Sequence, residues 1–137
     1  MRVLFEEVVF STKRKEQIID ITGDVRAILN RWGIRDGMVL VFAPHATASI
    51  IINENEPGLE QDILNLLNIL APPDANYHHN RIDRNAHAHL RSVAFPPYAT
   101  IPVKNGKLLL GTWQRIMFVE SDGPKAQRRV IVEYMGL

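Results

Sequence analysis

Five histidines gather in the middle of the chain and offer the most versatile chemistry in the sequence. Four of them fall within twelve residues, and the full set is His45, His78, His79, His87 and His89. Imidazole titrates near neutral pH and is the commonest metal ligand, so such a cluster is typical of a site for proton transfer or metal binding. The plainer alternative is one buried histidine, with the others on a solvated loop.

Spacing reduces the number of histidines that can share one site. His78 and His79 are adjacent, so their side chains diverge in an irregular segment and only one of them would enter the site. His87 and His89 would point about 200° apart on a helix, so a helix there admits only one of the two. Three imidazoles with an open position would form a catalytic metal site rather than a closed structural one.

Polar side chains near His45 extend the candidate site. If the chain is extended there, alternate residues share one face, namely His45, Thr47, Ser49, Ile51 and Asn53. The residues between them would face the core, namely Ala46, Ala48, Ile50 and Ile52. Glu54 follows in an acidic and amide-rich run that either caps the next helix or supplies a carboxylate to orient imidazoles.

A predicted strand at 112–120 carries a second polar set. Gln114 and Glu120 lie on one face of this strand, and Trp113 lies on the other. Trp113 is predicted to be a large packing residue. Gln114 is either a buried hydrogen-bonding group or a residue at a strand edge.

Helices must position several of these residues. The first is predicted to begin at an N-cap Thr22, to follow helical spacing through Val25, Ile28, Leu29 and Trp32, and to end at Gly33. The second is predicted from Pro57 to Leu70, with an apolar stripe of Leu59, Ile63, Leu66, Leu67 and Leu70. After an irregular polar segment at 74–84, a helical turn or two is predicted at 85–93.

The remaining apolar segments are typical of strands. We predict strands at 3–10, 18–21, 38–43, 47–53, 112–120 and 128–134. The segment 38–43 is almost continuously apolar, as in a strand buried on both faces. Asn105-Gly106 predicts a type I′ hairpin between 100–103 and 107–110. The expected fold class is α+β, with a largely antiparallel or mixed sheet and two principal helices.

Composition and charge exclude several classes of function. A chain of 137 residues with 46% hydrophobic residues fits one domain spanning 1–137, and the lack of cysteine excludes disulfides, thiol catalysis and Cys-ligated zinc. A net charge of +1 favours neither nucleic acid nor an anionic membrane. The longest apolar stretch, 38–52, is broken by Pro44 and His45 and is too short to span a bilayer. With charges where a signal peptide needs apolar residues, we expect a cytoplasmic protein with no membrane partner.

Several motifs in order resemble the YjbQ-like family. They are His45-Ala46-Thr47-Ala48-Ser49-Ile50 with Asn53-Glu54, Tyr77-His78-His79-Asn80, the run from Asp83 to Ser92, Ile101-Pro102-Val103-Lys104-Asn105-Gly106, Gly111-Thr112-Trp113-Gln114, and Glu120 before Asp122-Gly123-Pro124. Each motif is weak alone, but their order and spacing from about position 40 to the C-terminus are specific. Lys125 departs from the family pattern, in which many members carry arginine at this position.

The resemblance implies an α+β homotrimer with a pocket where His45, His79 and His89 meet, sometimes with a metal or an anion. It also implies a thiamine-phosphate synthase-like transferase activity, which joins a pyrimidine diphosphate to a thiazole phosphate and releases pyrophosphate. The ligand would then be a small phosphorylated molecule. A divalent metal would be zinc, or magnesium for pyrophosphate chemistry.

Roles follow from this hypothesis. The expected catalytic residues are His45, Glu54 and His89, and the expected metal ligands are His45, His79 and His89. The expected substrate-binding residues are Thr47, Ser49, Asn53, Arg84, Asn85, Gln114, Glu120 and Arg128. Two alternatives stay open: a metal-dependent hydrolase or lyase, and a non-enzymatic trimer that binds a small ligand or a metal.

Overall fold

Eight strands and three helices follow one another in the computed structural model, which describes residues 1–137. The strands are β1 (Arg2–Phe10), β2 (Gln17–Asp20), β3 (Gly37–Phe42), β4 (Ala48–Asn53), β5 (Tyr98–Lys104), β6 (Lys107–Leu108), β7 (Arg115–Glu120) and β8 (Arg128–Gly136). The helices are α1 (Thr22–Trp32), α2 (Pro57–Leu70) and α3 (Ala86–Ala94), and a 3₁₀ turn spans His78–Arg81.

The strands form two antiparallel sheets, which confirms the predicted α+β class. One sheet has five strands in the order β1-β8-β3-β5-β6, and the other has three in the order β2-β7-β4. Every paired strand is antiparallel to its neighbour. Strand β7 belongs to the three-stranded sheet and β8 belongs to the five-stranded sheet, so residues 120–128 connect the two sheets.

Both sheets and α1 contribute to one core of 17 buried residues. In β3 the buried residues are Val39 and Val41, whereas Met38 is 52% exposed on the opposite face. The prediction that this strand is buried on both faces is therefore wrong. The reason is that an antiparallel sheet packs one face on the core and leaves the other outside, even where the outer residues are apolar.

The helix ends follow the sequence signals in part. Gly33 ends α1 with a φ of 59°, the left-handed conformation that glycine adopts at low cost. Thr22 lies inside α1 and is not its N-cap, because its hydroxyl accepts a hydrogen bond from the Ile116 backbone N–H on β7. Helix α2 has the predicted bounds, and its N-cap Glu56 accepts hydrogen bonds from the backbone of Gly58 and Leu59.

A buried arginine joins three distant segments. Arg91 of α3 is 1% exposed, and its Nε and Nη2 donate to the Ala71 carbonyl at the C-terminal end of α2 at 3.2 and 3.0 Å. Its Nη1 lies 3.2 Å from the Glu16 carboxylate in the β1–β2 connection. Arg91 therefore satisfies a helix C-terminus that has no basic residue in its own last turn.

Two predictions in the last third of the chain have opposite outcomes. Asn105 and Gly106 both have positive φ, at 51° and 77°, which confirms the predicted hairpin turn. The strand predicted at 112–120 begins only at Arg115, and Trp113 is 71% exposed in the preceding turn. Trp113 is therefore not a core residue. Gln114 closes that turn by accepting a hydrogen bond from the Gly111 N–H at 2.7 Å.

None of the helices has the length and apolar character needed to cross a membrane.

Candidate functional site

His79 and His89 lie in contact. Their ring centroids are 4.8 Å apart and the rings meet edge to face at 69°. The 3₁₀ turn carries His79 and helix α3 carries His89. The pair lines a cavity of about 470 Å³ together with Asn76, Tyr77, His78, Ala86 and Leu90.

The other two histidines of this region are His87 and His78. Helical geometry places His87 and His89 on different faces of α3. His87 is 3% exposed and lies on the inner face of α3, whereas His89 is partly accessible. Burial first, and the positive charge of Arg91 second, lower the pKa of His87 below its usual value. His78 is exposed beside His79 and has no side-chain hydrogen bond to the pair.

A chain of polar contacts holds His79 from behind. Its Nε2 lies 3.0 Å from Asn85 Oδ1, and Asn85 Nδ2 donates to Asp122 Oδ2 at 3.0 Å. Lys125 Nζ lies 3.5 Å from the same carboxylate oxygen. Asn85, which was predicted to bind substrate, is 9% exposed and has both ends of its amide engaged. It therefore orients His79, and its role in substrate binding stays a prediction.

His45 occupies a separate position over the start of β8. The Arg129 backbone N–H donates to His45 Nε2 at 3.0 Å, and the ring lies edge-on to Phe118 with centroids 6.5 Å apart. Burial first, and the nearby charge of Arg128 second, lower the pKa of His45. The same Nε2 lies 3.1 Å from the Arg129 carbonyl oxygen, so these contacts are compatible with either tautomer of the neutral ring.

A buried ion pair lies under this region. Arg128 Nε donates to Glu120 Oε1 at 2.7 Å, and its Nη2 donates to Glu120 Oε2 and, at 3.0 Å, to Thr47 Oγ1. Thr12 Oγ1 donates to the same carboxylate at 2.8 Å. Burial would raise the pKa of Glu120, but the hydrogen bonds from Arg128, the Asp122 N–H and Thr12 outweigh it and lower the pKa.

This pair corrects three predicted roles. Glu120, Arg128 and Thr47 were expected to bind substrate, but they are 0%, 5% and 7% exposed and bond to one another. Their effect on the site passes through the backbone, because Glu120 Oε2 accepts the Asp122 N–H at 3.0 Å. The network thereby holds the turn that carries Asp122 and Lys125.

The remaining predicted residues lie elsewhere. Ser49 is buried and borders an apolar groove between β4 and α2, so it does not face the histidines. Glu54 borders a separate depression with Asp20, Thr112, Trp113 and Arg115, away from the paired histidines. Asn53 accepts a hydrogen bond from the next backbone N–H, and Arg84 is exposed. The sequence placed Asn53 and Glu54 near His45 because it assumed one straight strand from 45 to 53, whereas β4 begins only at Ala48.

The predicted three-histidine metal site does not form within one chain. No group of three or more His, Asp or Glu side chains is arranged to hold a metal ion. His79 and His89 supply two imidazoles, but His45 Nε2 is already bonded to the Arg129 backbone on a different element. The residues of one chain therefore do not fit a zinc or magnesium site of the expected kind.

Two residues important to this geometry were missed as site residues. Asp122 was noted only as part of a turn after Glu120, and Lys125 only as a departure from the family pattern. Asp122 contacts Asn85, which lies 37 positions away in sequence, and Lys125 contacts Asp122. The available signal was an N-cap asparagine just before a helix that carries histidines. Asparagine is favoured there for capping, so its use as a link between His79 and Asp122 could not be anticipated.

Comparison with known proteins agrees with the fold and the motifs. A family model described as UPF0047 protein YjbQ-like matches residues 6–137. A UPF0047 protein of Methanothermobacter thermautotrophicus is 46% identical over 99% of this chain and 94% of its own, and one of Archaeoglobus fulgidus is 46% identical over 93% and 98%. The crystal structure of a protein from Sulfolobus solfataricus, described as YbjQ-like and of unknown function, has a TM-score of 0.98 at 42% identity over 99% of both chains. The chain belongs to the YjbQ-like UPF0047 family.

Proposed function

We propose that this protein is an enzyme that acts on a small phosphorylated molecule in the cavity beside His79 and His89. One observation carries the proposal. Two imidazoles meet at the wall of an open cavity, and one of them is tied through an amide to a carboxylate. Such an arrangement fixes a histidine for proton transfer, whereas histidines on a solvated loop need no such support.

The cavity wall suits a phosphorylated substrate through its imidazoles. No carboxylate lines the cavity, and His79 and His89 in their protonated form would donate hydrogen bonds to phosphate oxygens. A protonated histidine can also donate a proton to a departing phosphate or pyrophosphate oxygen, which lowers the energy of the charge that develops there.

The first reaction to test is the thiamine-phosphate synthase-like transfer. In this reaction the thiazole nitrogen forms a bond to the exocyclic methylene carbon of the pyrimidine, and the bond from that carbon to the pyrophosphate oxygen breaks. Pyrophosphate leaves with the electron pair. The role proposed for His79 and His89 is to hold and protonate the leaving group, with no step assigned to a metal ion.

The assay mixes the purified protein with the two precursors and measures release of pyrophosphate and formation of thiamine phosphate. We expect turnover in the wild type and a loss of about 100-fold or more in His79→Ala and in His89→Ala. Lys104→Ala, an exposed change on β5, is the matched control and should keep wild-type activity. Rescue of a thiamine-requiring strain provides the same comparison in cells.

Two results would contradict the proposal in different ways. Turnover that survives both histidine substitutions would move the active site away from this cavity. Binding of a phosphorylated ligand with no turnover would instead indicate a ligand-binding protein.

We further propose that the protein assembles as a homotrimer. Two separate surfaces expose large apolar side chains. The outer face of the five-stranded sheet carries Val3, Phe5, Val9, Met38 and Met135, and the helical side carries Leu66, Ile69, Leu70, Leu90 and Val93. A three-fold ring needs two different complementary surfaces on each chain, because each contact joins one patch to another rather than to its own copy.

A further inference from the structure

The amide of Asn85 lies between two groups with different hydrogen-bonding abilities. On one side is the carboxylate of Asp122, 3.0 Å from Nδ2, and on the other is Nε2 of His79, 3.0 Å from Oδ1. The same carboxylate forms an ion pair with Lys125. Both contacts of the Asn85 amide are hydrogen bonds, so the direction of each is set by which atoms carry protons.

That direction follows from chemistry alone. An ionised carboxylate can only accept, so the Asn85 atom facing Asp122 must be the NH₂ group. The opposite end of the same amide is then the carbonyl oxygen, which also can only accept. His79 Nε2 must therefore carry a proton and donate it, and a neutral His79 has its lone pair on Nδ1.

Asn85 forms these two hydrogen bonds instead of capping its own helix. It occupies the N-cap position of α3, where an asparagine side chain usually accepts a hydrogen bond from the first turn. Here the side chain forms no capping bond. The Asn85 side chain forgoes a stabilising cap and bonds at both ends of its amide to His79 and Asp122 instead.

We infer that Asn85 and Asp122 are positioning residues that hold neutral His79 as a single tautomer, with the proton on Nε2 and Nδ1 as the only free acceptor. Nδ1 is then the atom at which His79 gains and loses a proton. In protonated His79 it donates to the leaving group of the proposed reaction, and in neutral His79 it accepts a hydrogen bond from a bound molecule. The tautomer itself does not depend on the proposed reaction. Only the use of Nδ1 in catalysis rests on the proposed function.

Nuclear magnetic resonance of protein with ¹⁵N-labelled histidine tests the tautomer directly. In mildly alkaline buffer, where free imidazole is neutral, the two nitrogens of each tautomer have distinct ¹⁵N shifts. We expect wild-type His79 to show one tautomer, with an Nε2–H proton protected from exchange. His79→Gln identifies its signals by their loss. A wild-type His79 with the proton on Nδ1, or with mixed tautomers, would overturn the inference.

Two variants test the cause. Asn85→Ala removes the acceptor, so we expect loss of the protected Nε2–H signal and a mixture of tautomers. Asp122→Asn keeps the size of the side chain and leaves Asn85 in place, so it tests the same link without a risk of misfolding α3. An amide at position 122 can donate or accept, so the Asn85 amide can rotate by 180° and the mixture of tautomers should also appear. Asn30→Ala, an exposed asparagine on α1, is the matched control and should keep one tautomer. A single Nε2–H tautomer that persists in both test variants would show that the chain through Asn85 does not set it.

Kinetics separate this inference from the proposed reaction. If Nδ1 is the reacting atom, Asn85→Ala should lower kcat by about 10- to 100-fold with little change in KM, as loss of an orienting partner does elsewhere. An unchanged kcat together with mixed tautomers would remove His79 from the chemistry while leaving the tautomer assignment intact. An unchanged kcat together with a single tautomer in Asn85→Ala would overturn both the control of the tautomer by Asn85 and the use of Nδ1 in catalysis.

Discussion

Glu120 at the end of β7 and Arg128 at the start of β8 form a buried ion pair that joins the two sheets of the protein. The guanidinium contacts both oxygens of the carboxylate, and neither side chain is more than 6% exposed. The seven residues between their positions include the turn that carries Asp122 and Lys125. The pair therefore closes the base of the loop behind the histidine site.

Removing one charge of this pair should cost far more stability than removing one from an exposed pair. Glu120→Gln leaves the Arg128 charge buried without a counter-ion, and we expect a loss of about 3–5 kcal/mol in the free energy of unfolding. Glu6→Gln, whose partner Arg31 is largely exposed, is the matched control with an expected loss below about 1 kcal/mol. Urea denaturation measures both. Equal losses would mean that burial of the pair contributes nothing.

Stability should depend on pH through His87. Its pKa is lowered, by burial first and then by Arg91, below the ordinary value of 6.5, while Glu16 and Asp122 act in the opposite direction and Lys15 in the same one. The unfolded chain then binds more protons than the folded chain between the lowered pKa and 6.5, so the free energy of unfolding falls as pH falls through this interval. We expect His87→Leu to reduce that slope in urea denaturation at a series of pH values.

His45 offers an independent check on this pH dependence. Its pKa is lowered in the same direction by burial and by Arg128. The double variant with leucine at both positions should therefore show a smaller slope than either single variant, because the two sites lie on different elements and act separately. A wild-type slope in His87→Leu would contradict the assignment of this group.

Zinc binding should require the paired histidines and not His45. His79 and His89 have ring centroids 4.8 Å apart, whereas His45 Nε2 accepts the Arg129 N–H. In calorimetric titration with zinc, we expect only weak binding in the wild type, because two imidazoles are too few ligands for a four-coordinate site. This weak binding should be lost in His79→Ala and in His89→Ala and should be unchanged in His45→Ala. Loss of binding in His45→Ala would restore the three-ligand site expected from the sequence, assembled with a rearrangement or with a second copy of the chain.

Assembly should depend on both apolar surfaces. Light scattering of the wild type is expected to give three chain masses, and Phe5→Glu on the sheet face and Ile69→Glu on α2 should each reduce this to one. Each side chain is well exposed within the monomer, so neither change should unfold it. A wild type at one chain mass would contradict the trimer. A trimer that survives either change would show that the altered surface is not part of the three-fold contact.

Local signals in the sequence were sufficient for most of the elements. Pro57 and the proline pair after Leu70 bound α2, Gly33 ends α1, and Asn105-Gly106 forms the predicted hairpin. Such signals act within a few residues, so the chain around them is informative by itself. Trp113 shows the limit, because a large aromatic residue in a strand-like segment was expected in the core but lies exposed in a turn.

The site could be predicted only where one helix decided the geometry. Helical spacing separates His87 from His89, and α3 does bury the first and turn the second toward His79. The contacts of Glu120, Arg128 and Asn85 could not be predicted, because they depend on how two sheets and a turn come together. A buried charged residue and a substrate-binding one have the same sequence signature until the partner is known.

Arg91 closes the histidine-bearing segment into a loop of chain. By bonding the Ala71 carbonyl, it joins the points where residues 72–90 leave and rejoin the rest of the fold. Within this loop Asn85 bonds to Asp122 and His87 is buried, whereas 74–84 contains no buried residue. Exchange of residues 74–84 for the corresponding stretch of a relative would therefore replace part of the cavity wall while both anchors stay in place, so substrate preference is open to change in a single step of engineering.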